Sequence, residues 1–168
     1  MDHSTRIKAD LVPYTSEYSA VVRSWIDSEE TYHAVCRGIS FPPPDDIVDS
    51  WQRQGVASYL LIADRRPAAY GELWDRRAEN AIEIAHVLVD NYQRSRGFGT
   101  KLLQLLYDRA AERPNISRVL LNLYHDSPEA LGCYLKAGFE LIGTATHIEG
   151  LKMVRSVRRP ERGQEPAR

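Results

Sequence analysis

The sequence predicts an α+β domain, one mixed sheet with helices packed on its faces. Three observations carry this. Strand and helix signals alternate in the order β-α-α-β-β-β-α-β-α-β-β. The nine residues Ala81 to Val89 are apolar apart from Glu83 and His86, as expected of a central strand covered on both faces. The segment after it, Asp90 to Gly99, is rich in Arg and Gly and leads into an amphipathic helix. With 168 residues the chain is one ordinary domain. Residues 9–157 form that domain, and the polar stretches 1–8 and 158–168 read as flexible tails, the second (RRPERGQEPAR) without any hydrophobic period.

The elements follow in order. Leu11 to Tyr14 is a short strand. A helix is expected from about Ser16 to Ser28, with Tyr18, Val21, Val22, Trp25 and Ile26 on one stripe. Phe41 and Pro42 to Pro44 block regular structure, and a second helix is expected from about Asp45 to Gln54, with Ile47, Val48 and Trp51 inward. Val56 to Ala63 and Ala68 to Trp74 read as a hairpin turning at Asp64–Pro67. Residues 75–80 are a polar connection into the strand 81–89. A helix begins near Gly99, carries Leu102, Leu103, Leu106 and Ala110 inward, and ends before Pro114. Val119 to Tyr124 is a strand. Ser127-Pro128-Glu129 then starts a helix with Leu131, Tyr134 and Leu135 as its stripe and Gly138 as its stop. Phe139 to Thr144 and Leu151 to Val157 are the last strands.

Composition narrows the function. Lys and Arg number 22 against 23 Asp and Glu, so no molecule-wide basic field for nucleic acid is expected. No apolar run approaches a membrane span, and Met1 to Asp10 holds no apolar signal segment. Two cysteines, Cys36 and Cys133, make no disulfide framework and no zinc spacing. A cytoplasmic protein with free thiols and no metal is expected.

The most informative stretch is Val87-Leu88-Val89-Asp90-Asn91-Tyr92-Gln93-Arg94-Ser95-Arg96-Gly97-Phe98-Gly99-Thr100. A buried strand ends, a glycine-bearing turn follows, and a helix begins. Glycines allow close backbone approach, the free N–H groups of the helix start favour an anion, and Arg94 and Arg96 add charge. This reads as a pyrophosphate site. The P-loop order is absent, because Gly99-Thr100-Lys101 is not Gly-Lys-Ser/Thr. The dinucleotide fingerprint fails at Leu102, where a small residue is required.

Arg94-Ser95-Arg96-Gly97-Phe98-Gly99 resembles the Arg/Gln-x-x-Gly-x-Gly/Ala hallmark of the GCN5-related N-acetyltransferases, with Ser95 where many members have glycine. A second stretch, Asp126-Ser127-Pro128-Glu129-Ala130-Leu131-Gly132-Cys133-Tyr134-Leu135-Lys136-Ala137-Gly138-Phe139, resembles that family's later signature, with Ser127 replacing its usual Asn. Together they cover residues 81 to 139. The resemblance implies a mostly antiparallel mixed sheet of six to seven strands flanked by about four helices, splayed into a V between the fourth and fifth strands. It also implies acetyl-CoA as co-substrate, without a metal. Val87, Leu88, Val89, Arg94, Ser95, Arg96, Gly97, Phe98, Gly99, Thr100 and Ser127 become cofactor-binding residues, the pantetheine arm pairing with the strand edge at Val87 and Val89. Ser127 equally suits a plain helix cap. Tyr134 takes the family's position for the acid that protonates the departing thiolate. Cys133, one residue round the helix, is expected to point elsewhere as a small hydrophobe.

The implied reaction moves an acetyl group from a thioester to an amine of a small molecule, peptide or protein. Most alkyl amines are protonated at neutral pH, so a base is needed. Glu83 is the first candidate, being a carboxylate in an apolar strand at a family-like interval before Arg94. His86 is the second. A regular strand puts the two on opposite faces, unless a bulge intervenes. Trp25, Glu29, Glu30, Tyr32, His33, Phe41, Glu72 and Trp74 are candidate acceptor residues, the acidic and aromatic ones suiting a cationic amine. The alternative is a non-catalytic acyl-CoA-binding domain of the same fold, and a weaker one a nucleotide-binding α/β domain. A monomer or homodimer is expected.

Overall fold

The computed structural model describes residues 8–124, 127–144 and 150–158. Seven strands form one sheet: β1 (Ala9–Pro13), β2 (Val56–Ala63), β3 (Arg66–Arg76), β4 (Ala81–Val89), β5 (Arg118–Leu123), β6 (Glu140–Thr144) and β7 (Leu151–Ser156). Their spatial order is β1-β2-β3-β4-β5-β7-β6. Every neighbouring pair is antiparallel except β4 with β5. Parallel neighbours need a crossover, supplied here by helix α4 (Phe98–Ala111). The other helices are α1 (Ser19–Ser24), α2 (Glu29–Cys36), α3 (Ile47–Ser50) and α5 (Pro128–Lys136).

Period-two alternation splits the sheet's side chains between two cores. Leu61, Ala69, Leu73, Ile82 and Ile84 pack with Leu102, Leu103 and Leu106 of α4. Leu60, Tyr70 and Leu88 point the other way, onto Val22, Trp25, Ile26, Tyr32, Val48 and Trp51 of the N-terminal layer. The mixed sheet with helices on both faces follows from this.

The N-terminal layer departs from the helices expected there. In place of one helix from Ser16 to Ser28 there is a 3-10 turn at Ser16–Tyr18, the short α1, and then α2, which was not expected. Its start is legible afterwards: the Ser28 hydroxyl accepts from the Thr31 N–H at 3.1 Å, with Glu29 and Glu30 in the first turn. The helix expected from Asp45 to Gln54 shrinks to α3. The proline loop is tied to α1, since Arg23 donates to the carbonyls of Pro43 (2.6 Å) and Pro44 (2.9 Å). β3 takes the first two residues of the expected polar connection, running to Arg76, and Arg77–Glu79 form a 3-10 turn. In α5, Leu135 is exposed rather than part of the core stripe. The expected tails fall almost wholly outside the described residues, as does Asp126.

The splay is explicit in the register. β4 pairs with β5 from Ala81↔Arg118 to Ile84↔Leu121 and no further, although β4 continues to Val89 and β5 to Leu123. From Ala85 onward, the β5-facing edge of β4 is left without a strand partner.

Candidate active site

A bulge in β4 shapes the site. Tyr70 pairs with Leu88 but Glu72 pairs with Ala85, so two steps along β3 match three along β4. The extra residue shifts the side-chain parity. Ile82 and Ile84 face the α4 core, and beyond the bulge Val87 and Val89 do so. His86 absorbs the irregularity at φ 47°, in the left-handed region. The expectation of opposite faces is therefore corrected. Glu83 and His86 line one cavity, of about 160 Å³, together with Trp74, Asn122, Tyr124 and Tyr134.

Both carboxylate oxygens of Glu83 are engaged. Arg76 places Nε at 2.7 Å and Nη2 at 2.5 Å from Oε2, and Asn122 Nδ2 donates to Oε1 at 2.8 Å. Glu83 thus sits at the apex of the V, tied to β3 and β5, rather than as a free carboxylate. Glu72 behind it has no exposed surface. Tyr70 Oη donates to its Oε1 at 2.6 Å and Trp74 Nε1 to its Oε2 at 2.5 Å. His86 Nδ1 lies 3.0 Å from the same Oε2. The His86 ring stands between Trp51 (centroids 4.2 Å apart) and Trp74 (5.1 Å, edge-on).

A larger cleft, about 750 Å³, runs from the 90–100 loop to this cavity. Val87, Val89, Arg94, Ser95, Gly97, Phe98, Gly99, Thr100 and Ser127 line it. Ala34, Val87 and Tyr134 line both spaces, so the two meet there. At the loop, Gly97 precedes α4 at φ 84°, and no side chain caps that helix. Its first N–H groups therefore point into the cleft mouth without side-chain acceptors, an arrangement suited to an anion. Arg94 is exposed and makes no hydrogen bond or ion pair with the described residues. Ser95 takes φ 61°, the left-handed conformation for which glycine is better suited.

Two of the expected cofactor-binding residues do not line the cleft. Leu88 is buried in the N-terminal core, leaving only its backbone for a ligand. Arg96 is turned aside, donating to Gln93 Oε1 and lying over the Phe98 ring at 5.3 Å. Ser127 caps α5 by accepting from Ala130 N–H at 3.2 Å while still facing the cleft. Cys133 does not point away as expected: it lines the cleft, with Sγ 3.3 Å from Thr100 Oγ1. Burial pushes its thiol up, so it is a poor nucleophile at neutral pH. A Cβ on Gly99 would stand 3.2 Å from that sulfur, so this glycine lets α4 and α5 approach.

Tyr134 is half-buried at the junction of the two spaces, and its hydroxyl has no hydrogen-bond partner among the described residues. Burial pushes its pKa upward, keeping the phenol protonated. Of the candidate acceptor residues, Trp25 and Tyr32 belong to the core, and Glu29, Glu30 and His33 are exposed outside the cavity. Phe41 does not line it either, whereas Trp74 does. Sequence reasoning missed the end of α2 (Ala34 to Arg37), Asn122 and Tyr124 as lining residues. The first has no sequence signal beyond its helix cap.

Comparison with known proteins assigns this architecture to a family. The model of the Acetyltransferase (GNAT) family matches residues 20–139, and the chain belongs to that family. It is 25% identical over 109 residues to an aminoglycoside N(6')-acetyltransferase type 1 of Klebsiella pneumoniae, covering 58% of this chain and 54% of that one. It thus spans about half the length of that relative. A kanamycin resistance protein of Rhizobium radiobacter is 30% identical over 81 residues, 48% of this chain and 75% of the other. The solved structure of aminoglycoside acetyltransferase AAC(6')-Ib with coenzyme A and kanamycin superposes with a TM-score of 0.74 at 20% identity, covering 89% of this chain and 95% of that one. Spermidine N-acetyltransferase from Vibrio cholerae, with CoA and spermine, gives 0.71 at 12% identity, with the same coverage. No helix among the described residues is long and apolar enough to cross a membrane, and no His/Cys/Asp/Glu group among them could hold a metal ion.

Proposed function

We propose that the chain is an acetyl-CoA-dependent N-acetyltransferase acting on a primary amine of a small molecule. One observation carries this reading above the others. The cleft along the unpaired edge of β4 runs into the inner cavity, and the two meet at the free phenol of Tyr134.

The coenzyme's phosphates take the open N–H groups of α4, with Arg94 as a charged partner. Its pantetheine arm follows Val87 and Val89 along the β4 edge, pairing with backbone groups that β5 leaves free. A backbone N–H near Val89 faces the thioester oxygen, where charge develops as the amine attacks. The thioester then sits beside Tyr134, which gives its proton to the leaving sulfur. Glu83 and His86 both line the cavity, so both stand next to the acetyl group in this arrangement.

Relatives named for aminoglycosides, and a structural neighbour named for spermidine, make polyamino sugars and polyamines the first acceptors to try. The test is CoA-thiol release from acetyl-CoA over a panel of aminoglycosides, polyamines and amino acids, with acetyl-CoA affinity measured by calorimetry. Turnover of at least one amine is expected. CoA binding with no turnover of any amine would leave a non-catalytic acyl-CoA-binding domain. ATP or NAD binding in place of acetyl-CoA would reject the reading altogether.

A further inference from the structure

We infer that His86, backed by the buried Glu72, takes the acceptor's proton, and that Glu83 holds the apex of the V together instead. This rests on the acetyltransferase reading. It starts from the bulge, which brings His86 onto the face that lines the cavity. A bulge with a positive φ at a non-glycine residue is a costly conformation, of the kind that persists where the surroundings enforce it. Here Trp51 and Trp74 hold the ring from two sides.

The two nitrogens of the ring then differ. Nδ1 is buried and lies 3.0 Å from Glu72 Oε2, within ion-pair distance but off the line of a hydrogen bond. No other hydrogen-bonding partner meets it. A modest turn of the ring, in a torsion whose minimum is broad, aligns Nδ1–H with that oxygen. Nε2 makes no hydrogen bond among the described residues, and the ring lines the cavity. A proton fixed on Nδ1 leaves the Nε2 lone pair for substrate. The carboxylate behind stabilises the imidazolium that forms when Nε2 takes a proton.

Glu83 is a poorer proton acceptor on geometry. Arg76 covers Oε2 and Asn122 covers Oε1. Arg76 takes both lone pairs of Oε2, so a proton can arrive only on Oε1 beside Asn122, and it must neutralise a carboxylate that the Arg76 cation holds charged. Glu72 has no exposed surface and acts only through His86, so it is a positioning residue.

Other titratable groups around the ring do not compete near neutrality. On β3 these are Tyr70, whose phenol burial pushes up, and the cation Arg76. From the end of α2 comes Cys36, its thiol also pushed up by burial, and just after it the cation Arg37. Tyr124 past β5 and Tyr134 on α5 are likewise raised, chiefly by burial. The balance of protons is then simple. The acceptor enters as an ammonium and gives one proton to His86 Nε2. The freed lone pair forms the C–N bond as the C–S bond breaks, and Tyr134 gives its proton to sulfur. The nitrogen's second proton returns to the Tyr134 phenolate, His86 releases its proton to solvent, and the amide keeps one.

The experiment combines kinetics with spectroscopy on the full chain. In the pH dependence of kcat/KM, wild type should lose activity on the acid side as the imidazole protonates. His86→Gln should lower kcat by about 10²- to 10⁴-fold and abolish that acid limb, with acetyl-CoA affinity unchanged. Glu83→Gln should keep the limb. Nitrogen NMR of the imidazole should show the proton on Nδ1 in the neutral ring, and Glu72→Gln should weaken that tautomer preference. Should Glu72→Gln fail to fold, the wild-type tautomer alone decides. A neutral ring protonated on Nε2, or an acid limb that vanishes in Glu83→Gln and survives in His86→Gln, overturns the inference while leaving the acetyltransferase reading intact. Absence of turnover with every amine overturns both.

Discussion

Tyr134 is where side-chain chemistry and position coincide most directly. Its ring packs beside the α4 core while its hydroxyl opens on both cleft and cavity. Tyr134→Phe keeps the ring and removes the proton. Turnover should fall by about 10²- to 10⁴-fold, the usual worth of a positioned acid, with acetyl-CoA affinity unchanged. A rate within twofold of wild type would make Tyr134 a packing residue only. Ser95 tests a different property, backbone strain. At φ 61° a side chain crowds its own backbone, at a cost of about 1 to 2 kcal/mol that glycine avoids. Glycine's greater freedom in the unfolded chain offsets part of the gain. Ser95→Gly should therefore raise the melting temperature by a few degrees at most, about 2–4 °C per kcal/mol for a domain of this size. A lower melting temperature would mean that the serine side chain itself stabilises the loop.

At the scale of elements, the close seating of α4 on the sheet depends on Gly71. A Cβ there would lie 2.7 Å from Leu106 Cδ1 and 3.4 Å from Leu102 Cδ2, and both leucines are fully buried. Gly71→Ala should destabilise by about 1–3 kcal/mol through overpacking, read as a lower denaturant midpoint with an unchanged slope. Adding Leu106→Ala should recover part of the loss, so the double variant should be more stable than the two single effects predict. Strict additivity would show that Leu106 is not the obstacle. The elements most legible in the sequence are those whose cause is local. β4 is a long apolar run, α4 an amphipathic stripe behind a glycine turn, and α5 a Ser-Pro-Glu start. What sequence could not show is relational. The bulge at His86 exists only as a mismatch between two strands, and the Arg76–Glu83–Asn122 contacts join residues from three strands. The candidate site was legible as a loop and a tyrosine that meet one cleft, whereas the placement of His86 beside Glu83 needed the register. α2 was hidden for the opposite reason. Its inward residues, Tyr32, Val35 and Cys36, span little more than one turn, too short a stripe to mark a helix in the sequence.

Across the whole molecule, wholly or partly buried phenols link the two halves of the fold to pH. Tyr14 packs edge-on against Tyr70, its hydroxyl donates to Asp49 at 2.7 Å, and burial, together with that carboxylate, raises its pKa to about 12. Tyr70 is raised further, by burial and then by Glu72, and Tyr134 by burial. These residues anchor the N-terminal layer and the cleft helix to the same sheet. The sign of the effect follows from proton binding. In each case the folded state holds a proton that the unfolded chain releases near pH 10, the ordinary value for a phenol. The stability they contribute is fully present below that pH. It is lost as pH rises from about 10 through the raised folded values. The thiols of Cys36 and Cys133, raised by burial from an ordinary value of 9.0, act in the same direction slightly earlier. The urea midpoint should accordingly be flat from pH 7 to about 9 and fall steeply above 10. Tyrosinate absorbance should show Tyr14, Tyr70 and Tyr134 ionising only together with loss of the helical circular dichroism signal. Tyr14→Phe should make the alkaline decline shallower, since one of the retained protons is removed from the cycle. If all the phenols titrate near pH 10 while the helical signal persists, the protein is not held together in the way these contacts imply.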